Sequence, residues 1–365
     1  MRQKRRAFKT LAAAAFSAAA VLFWMPQVAA AQRDENTPQS AANRYGLASW
    51  SEVVVSVTDL EESSAWLIKD GGWRVVASGA LDTRELAYWN LPKTCFGAFR
   101  KICAPGTQAG CIRFVRFDGA EDQRPIRLAA RPWDTGGIFS IMLRSNDTQG
   151  LFDAAIKRGW WAESPPYAFS FGGSDLLNVV IRGPHGVSYA LYERKSPPFT
   201  GFAVGKLSQA FNTMRMVKDQ PASLGFYRDH LGLVTLFDAP FTDPEPRANN
   251  FSVPANLATN LVRRAAVVQP RAGSEDGRVE LMQFEGFEGR DYSAHASPPN
   301  LGIISVRYPV RDWAGYKAFL KGNGVPIERE ATRLRIPALA AGDAPATIMA
   351  VRDPDGNLTE FYDVP

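Results

Sequence analysis

The chain has 365 residues, of which 45% are hydrophobic and 22% are charged, and its formal net charge is +5. This composition is that of an ordinary globular protein. The positive charge does not indicate nucleic-acid binding, because the first 31 residues carry five Lys or Arg side chains and no acidic residue. Without that segment the charge is near zero, and we expect no nucleic-acid partner.

The first element in the chain is a basic stretch followed by an apolar one. The basic residues are Arg2, Lys4, Arg5, Arg6 and Lys9. An Ala-rich apolar run covers 11–24, and small residues follow at 28–31, as in a secretory signal peptide (residues 1–31). The apolar run is shorter than the roughly 20 residues of a membrane span. We therefore expect the protein to be exported, by the Sec or the twin-arginine route. The mature protein is then periplasmic or secreted and is not associated with the membrane.

Residues 32–47 have the composition of a flexible lead-in.

The three cysteines of the chain lie in one short region. Cys95, Cys103 and Cys111 lie within 17 residues, at a spacing that matches no zinc motif. In an oxidising compartment this arrangement favours one disulfide and one free thiol. The spacing leaves the identity of the bonded pair open.

A unit of strand, Asp, helix and Gly recurs four times along the chain. Asp suits the position before a helix because its carboxylate accepts free N–H groups, and Gly suits the left-handed position that ends it. The interval of 12 or 13 residues predicts about three helical turns. The four intervals are Asp59–Gly72, Asp147–Gly159, Asp219–Gly232 and Asp312–Gly324.

The four units, here called modules 1 to 4 in chain order, are predicted to form two halves. Modules 2 and 4 both end in a Pro- and Gly-containing turn and a last strand, at 183–192 and 353–362. A linker is indicated near 194–198. We therefore expect an N-terminal domain at 48–195 and a C-terminal domain at 207–365.

Two segments of the second half resemble a known family. Asn212–Asp219, with the following Ser223–Tyr227 and His230–Gly232, is similar to the opening of glyoxalase I, and Asp353–Glu360 is similar to its end. The repeat resembles the vicinal oxygen chelate superfamily of glyoxalases, bleomycin-resistance proteins and dioxygenases. The resemblance implies an α+β fold of four βαβββ modules, paired into two tandem half-barrel domains.

The same resemblance implies a cleft in each half, with metal ligands from the first and last strand of each module. Carried over position by position, the second half offers Asn212, Glu280, Ser305 and Glu360. Glu360 would also be the catalytic base. Such ligands would hold a divalent cation such as Mn, Mg, Zn or Ni, with the harder ions favoured by an all-oxygen set. The alternative is that Glu280 is an ordinary solvated strand residue.

The corresponding positions of the first half are Glu52, Arg113, Ser140 and Ala190. They lack the final carboxylate, so we expect no metal there. Glu52, Arg113 and Ser140 are candidate substrate contacts, together with the loop residue His295. For Glu52 and Arg113 the alternative is a mutual ion pair in an inert half.

Two classes of function remain open from the sequence. The first is a metal-assisted lyase or isomerase acting on a small oxygen-rich or aromatic metabolite. The second is a small-molecule-binding protein without catalysis, like the bleomycin-resistance members. Ring-cleaving dioxygenase chemistry is disfavoured because the two-His iron site is missing. Four tryptophans are either groove or core residues: Trp89, Trp133, Trp160 and Trp161.

Overall fold

A computed structural model describes residues 41–127, 130–199, 204–339 and 343–364. The strands of module 1 are β1 (Glu52–Ser56), β2 (Arg74–Ala80), β3 (Phe96–Cys103) and β4 (Cys111–Asp118). Those of module 2 are β5 (Ile138–Ser145), β6 (Trp161–Ala162), β7 (Tyr167–Phe171), β8 (Ser174–Arg182) and β9 (Ser188–Ser196). Those of module 3 are β10 (Leu207–Met216), β11 (Val234–Phe241), β12 (Arg263–Gln269) and β13 (Arg278–Phe284). Those of module 4 are β14 (Gly302–Val310), β15 (Ile327–Leu334), β16 (Ala346–Arg352) and β17 (Leu358–Asp363).

Each module has one helix after its first strand, as the repeat predicts. These helices are α2 (Leu60–Lys69), α4 (Thr148–Lys157), α5 (Gln220–Gly225, continued by a π-helical turn, Phe226–His230) and α7 (Trp313–Gly322). Shorter elements are α1 (Ala41–Arg44), α3 (Thr83–Tyr88), α6 (Ala255–Ala258) and the 3₁₀ turns Pro184–Gly186 and Ser293–His295.

The predicted helix boundaries are confirmed in all four modules. The side chains of Asp59, Asp147, Asp219 and Asp312 each accept hydrogen bonds from helix N–H groups. The closing glycines have positive φ angles between 67° and 79°, a conformation that favours glycine. The α+β class and the four βαβββ modules are likewise as predicted.

The strands form two mixed sheets, and their order corrects the expected pairing of modules. One sheet has the order β15-β16-β17-β14-β1-β4-β3-β2, and the other runs β11-β12-β13-β10-β5-β9-β8-β6, with β7 paired to β8. The first sheet therefore joins modules 1 and 4, and the second joins modules 2 and 3. The antiparallel pairs β1/β14 and β10/β5 make these junctions. Modules 1 and 2 therefore lie in different sheets, and so do modules 3 and 4.

Modules 1 and 2, and likewise modules 3 and 4, pack against each other through their helices and turns. In modules 1 and 2, the indole of Trp66 donates a hydrogen bond to the carbonyl of Leu151 and packs against Trp160. In modules 3 and 4, the carboxylate of Asp355 accepts hydrogen bonds from the Lys218 backbone and the Ser223 hydroxyl. A shared core with residues from all four modules lies between the helices and the sheets. The family-like turn at 353–356 therefore has a structural role.

The lead-in predicted for residues 32–47 is ordered over the part that is described, which corrects that prediction. Ala42 and Leu47 are buried, and Tyr45 packs against Phe319 of module 4. The Ala42 N–H also donates to the carbonyl of Gly232. Apolar contacts therefore hold 41–47 on the fold. The predicted signal peptide lies outside the described residues, and among those described no helix is long and apolar enough to cross a membrane.

One disulfide joins Cys103 to Cys111, and Cys95 is a buried free cysteine. This confirms one bridge and one free thiol, and it identifies the pair that the sequence left open. The bridge links the end of β3 to the beginning of β4.

Candidate functional site

Each sheet turns one face to the shared core and the other face away from it. The outward face of the first sheet is here called the 1–4 face, and it carries a hydrophobic cluster that includes Val54, Phe99, Ile304 and Ile348. The outward face of the second sheet is called the 2–3 face. Its cluster includes Phe139, Met142, Ala190, Met214 and Met282.

The four predicted metal ligands do not come together. Asn212 and Glu280 lie on the 2–3 face, whereas Ser305 and Glu360 lie on the 1–4 face. The prediction of one site for all four is wrong because β14 pairs with β1 rather than with β10. Each residue lies on the expected strand of its own module. However, module 3 shares its sheet with module 2, and module 4 shares its sheet with module 1.

The centre of the 1–4 face is the guanidinium of Arg307, which binds three carboxylates. Its Nη1 lies 3.0 Å from Glu52 Oε1, its Nη2 lies 3.0 Å from Glu85 Oε1, and its Nε lies 2.8 Å from Glu360 Oε2. All four side chains are fully buried. Arg307 therefore supplies the positive charge that three closely spaced buried carboxylates require.

Two further cations complete this network. Lys101 Nζ lies 2.9 Å from Glu52 Oε2, and Arg113 Nη2 lies 3.3 Å from Glu85 Oε2. Three buried carboxylates thus face three buried cations. Burial alone would raise the pKa of Glu52, but Lys101, Arg307 and Arg113 outweigh it and lower that pKa to about 2. Glu52 is therefore ionised at neutral pH.

Glu360 is enclosed within this network. Its carboxylate accepts hydrogen bonds from the indole of Trp89 at 3.1 Å and from the hydroxyl of Ser305 at 2.7 Å, in addition to Arg307. No part of its surface is exposed. The carboxylate predicted as the catalytic base is thus held by three donors and is closed to a substrate.

The 1–4 face does not fit the divalent metal that the family resemblance implies. The oxygen atoms of three carboxylates converge on the Arg307 guanidinium, so the cation position is filled by a side chain of the protein itself. A second cation there would be repelled by Arg307, Arg113 and Lys101. No metal chemistry is assigned to this face.

The 2–3 face is organised around a single carboxylate. Asn212 Nδ2 donates a hydrogen bond of 3.2 Å to Glu280 Oε2. Met214 lies opposite Glu280 on one neighbouring strand and opposite Ser140 on the other. The Oδ1 atom of Asn212 and the Oγ atom of Ser140 are buried and have no hydrogen-bond partner. Buried polar atoms of this kind are uncommon in folded proteins and mark a place for a further partner.

The surroundings of Glu280 are apolar. Burial raises its pKa to about 7, although the hydrogen bond from Asn212 opposes this shift. No ion pair to Glu280 is found among the described residues. The residue as a whole is nevertheless only half-buried. The neighbouring phenol of Tyr192 has a pKa raised well above its usual value by burial and by the charge of Glu280.

The arginines at the ends of the 2–3 face are bound to groups other than Glu280. Arg144 Nη2 lies 2.8 Å from Glu275, and Arg263 Nη2 lies 3.0 Å from Asp243. Arg182 donates to the carbonyl of Ala130, and Arg278 donates to that of Ser274. These four arginines thus have other partners, and none of them forms an ion pair with Glu280.

The 2–3 face is also a poor fit to a metal. It offers one carboxylate, one amide and one hydroxyl, with Ala190 at the fourth expected position and methionine thioethers between them. Mn²⁺ and Mg²⁺ prefer several oxygen ligands, and thioethers are too soft for them. Over the described part of the chain, no group of three or more His, Cys, Asp or Glu side chains is placed to hold a metal.

The remaining predicted contacts are distributed as follows. Glu52 and Arg113 both belong to the buried network, although their closest partners are Lys101, Arg307 and Glu85 rather than each other. Ser140 lies on the 2–3 face. His295 lies in a 3₁₀ turn, where its ring packs against Tyr292.

The four tryptophans also separate. Trp160 belongs to the shared core, and Trp89 belongs to the 1–4 face. Trp133 packs against Phe287 at the edge of the 2–3 face, whereas Trp161 is 47% exposed.

Three central residues of the 1–4 face, Arg307, Lys101 and Glu85, were not predicted from the sequence. Arg307 lies two positions after Ser305 on β14, so strand alternation places both on one face. Lys101 lies on β3, and Glu85 lies on the short helix α3 between β2 and β3. The alternation could have indicated Arg307, but nothing local to α3 indicates that Glu85 meets strands of module 4.

Comparison with known proteins identifies a matching sequence family and several solved structures with a similar fold. The sequence model of the Glyoxalase/Bleomycin resistance protein/Dioxygenase superfamily matches residues 210–361. Among curated protein sequences, none matches this chain.

Among solved structures, glyoxalase I from Zea mays is similar, with a TM-score of 0.56 and 14% sequence identity over 86% of this chain and 92% of that chain. A provisionally assigned dioxygenase from Bacillus subtilis subsp. subtilis str. 168 is also similar, with a TM-score of 0.52 and 11% identity over 87% of this chain and 86% of that chain. At these identities the likeness concerns the fold, while the chemistry depends on the side chains of the two faces.

Proposed function

We propose that this chain, whose residues 210–361 match the sequence model of the Glyoxalase/Bleomycin resistance protein/Dioxygenase superfamily, binds a small molecule on the 2–3 face. Glu280 and Asn212 are the main polar contacts, and Ser140 is a further one. The methionine and phenylalanine side chains of that face surround the apolar part of the ligand. The buried network gives the 1–4 face a structural role.

One observation carries this proposal. Glu280 is a half-buried residue whose carboxylate has no ion-pair partner among the described residues, and two unpaired polar atoms belong to the same face. Ligand sites of proteins combine apolar walls with a few convergent polar groups of this kind. Perturbed carboxylates in such places are candidates for functional residues.

The test is a ligand-observed NMR screen of aromatic fragments of positive, neutral and negative charge. Glu280→Ala should lose most of the fragments that bind the wild-type protein. Glu285→Ala is the matched control, because Glu285 follows the same strand but is 39% exposed and pairs with Arg264. Hits that survive Glu280→Ala and Glu285→Ala alike would place the binding site elsewhere and contradict the proposal.

A second candidate function is proton transfer, with Glu280 as the base instead of Glu360. It is favoured by the pKa of about 7, since a general base works best when its pKa is close to the working pH. In this lyase- or isomerase-like activity, the carboxylate of Glu280 takes a proton from a carbon next to a carbonyl and returns it to the substrate. The donor set of the 2–3 face argues for chemistry without a metal.

Deuterium exchange separates this enzyme from a binder. 2-Hydroxyacetophenone in D₂O should exchange its CH₂ protons faster with the wild-type protein than with Glu280→Gln, because an amide cannot accept the proton. Exchange at the buffer rate with wild-type protein, for a fragment that binds, would leave binding as the function.

We also propose that the protein is exported, as its N-terminal residues predict. The Cys103–Cys111 disulfide supports this proposal, because such bonds persist in oxidising compartments. N-terminal sequencing of protein from a periplasmic fraction should find a first residue close to Gln32. An intact Met1 in a soluble cytosolic pool would contradict export.

A further inference from the structure

We infer that the ligand of the 2–3 face is a small organic cation, an aromatic or branched primary amine, whose ammonium group lies beside Glu280. This inference rests on the proposed function, because it names the class of ligand for the same site. It follows from the polar groups, from the apolar walls and from the charges around the face.

The unpaired polar atoms of the face can act as acceptors. Glu280 is an acceptor when ionised. Asn212 presents its free Oδ1, because its Nδ2 group already donates a hydrogen bond to Glu280. The Ser140 hydroxyl can also accept, and the Asn212 and Ser140 side chains are 3% and 0% exposed. A primary ammonium has three donors and no acceptor, which complements these groups. A carboxylate ligand would bring a like charge to Glu280.

The walls of the face suit the remainder of such a ligand. Met142, Met214 and Met282 are buried in one cluster with Phe139 and Phe284. Aromatic ring faces stabilise an adjacent organic cation. Polarisable thioethers make favourable contacts with an aromatic ring. Ser140 and Glu280 lie two strands apart, about 10 Å between backbones, with Met214 between them.

Among the described residues, no cation forms an ion pair with Glu280. The arginines of the rim are bound to Glu275, Asp243 or backbone carbonyls. The titratable groups that face Glu280 are Tyr192 from β9 and, on its own strand, Arg278, which is bound to Ser274. Since the pKa of Glu280 is raised to about 7, binding of an amine should tighten as the pH rises through 7.

Three probes of one shape test this inference: benzylamine, benzyl alcohol and benzoate. Their affinities are measured by isothermal titration calorimetry at pH 8 and pH 5.5, for the wild-type protein, Glu280→Gln and the control Glu285→Gln. Benzylamine should bind at pH 8 about tenfold more tightly than benzyl alcohol, and benzoate more weakly than both. Glu280→Gln should remove this preference, whereas Glu285→Gln should keep it.

The outcomes distinguish this inference from the proposed function. Benzyl alcohol or benzoate binding as tightly as benzylamine, or a preference for the amine that survives Glu280→Gln, would overturn the inference and leave small-molecule binding intact. Binding by none of the three probes would overturn the inference alone if the fragment screen gives Glu280-dependent hits. If that screen also gives none, both proposals fail.

Discussion

The two outward sheet faces are built from equivalent modules, yet they solve the problem of a buried carboxylate in opposite ways. On the 1–4 face, Glu52, Glu85 and Glu360 share the guanidinium of Arg307 and leave no acceptor to solvent. On the 2–3 face, Glu280 has one hydrogen bond, from an amide. The comparison shows that one internal cation is enough to hold several buried carboxylates as a structural element.

The largest expected effect comes from removing that cation. Arg307→Met leaves three buried carboxylates without their shared partner and should lower the free energy of unfolding by about 4 kcal/mol. Arg116→Met is the control, because Arg116 lies on β4 of the same sheet but is 42% exposed and pairs with Asp118 at the surface. It should change stability by less than about 0.5 kcal/mol. Urea denaturation measures the free energy of unfolding of both variants. If Arg307→Met changed it as little as Arg116→Met does, the buried network would not be structural.

An intermediate effect is expected on the 2–3 face, and its sign depends on pH. The folded-state pKa of Glu280, about 7, lies above its usual value of 4.5. The stability associated with its protonated form is therefore complete below pH 4.5 and is lost as the pH rises through 7. Glu280→Gln cannot ionise, so it should raise the free energy of unfolding at pH 8 by about 2 kcal/mol and change it little at pH 5.

Urea denaturation of Glu280→Gln at the two pH values measures this difference, with Glu285→Gln as the surface control. Destabilisation by Glu280→Gln at pH 8 would mean that the ionised carboxylate has a favourable partner in the folded protein, and the contrast between the two faces would be lost.

The smallest effect compares two serines at equivalent positions of modules 2 and 4. The Ser305 hydroxyl donates to Glu360, whereas the Ser140 hydroxyl has no partner. Ser305→Ala should therefore destabilise the protein by about 1.5 kcal/mol. Ser140→Ala should be neutral or stabilising by up to about 1 kcal/mol, because it removes a buried group without a hydrogen bond. Thermal unfolding of both variants checks these signs, and destabilisation of similar size would contradict the account.

The sequence predicted local features well and long-range pairing poorly. The helices after Asp59, Asp147, Asp219 and Asp312 depend on capping within a few residues, so their positions are readable from the chain. Which first strands meet depends on contacts between distant segments, and the pairing of β14 with β1 has no local mark. The prediction therefore combined two residues of the 2–3 face and two residues of the 1–4 face into one metal site, which the structure does not contain.

The candidate site was predictable only where it depends on positions within one module. The family resemblance led to Glu280 and Asn212, and these residues do contact each other. Whether a carboxylate is free or neutralised depends on side chains from other strands and helices. The environment of Glu360 could not be predicted because one of its donors, Trp89, follows helix α3 of a different module.

The central claim is that ligands bind on the 2–3 face and not on the 1–4 face, and methyl NMR tests it directly. Protein labelled with ¹³C at methionine and isoleucine methyl groups reports on both faces: Met142, Met214 and Met282 on one, Ile304 and Ile348 on the other. Titration with benzylamine, and separately with benzyl alcohol, should shift the three methionine signals and leave the two isoleucine signals unchanged. Shifts of Ile304 and Ile348 with unchanged methionine signals would contradict the account.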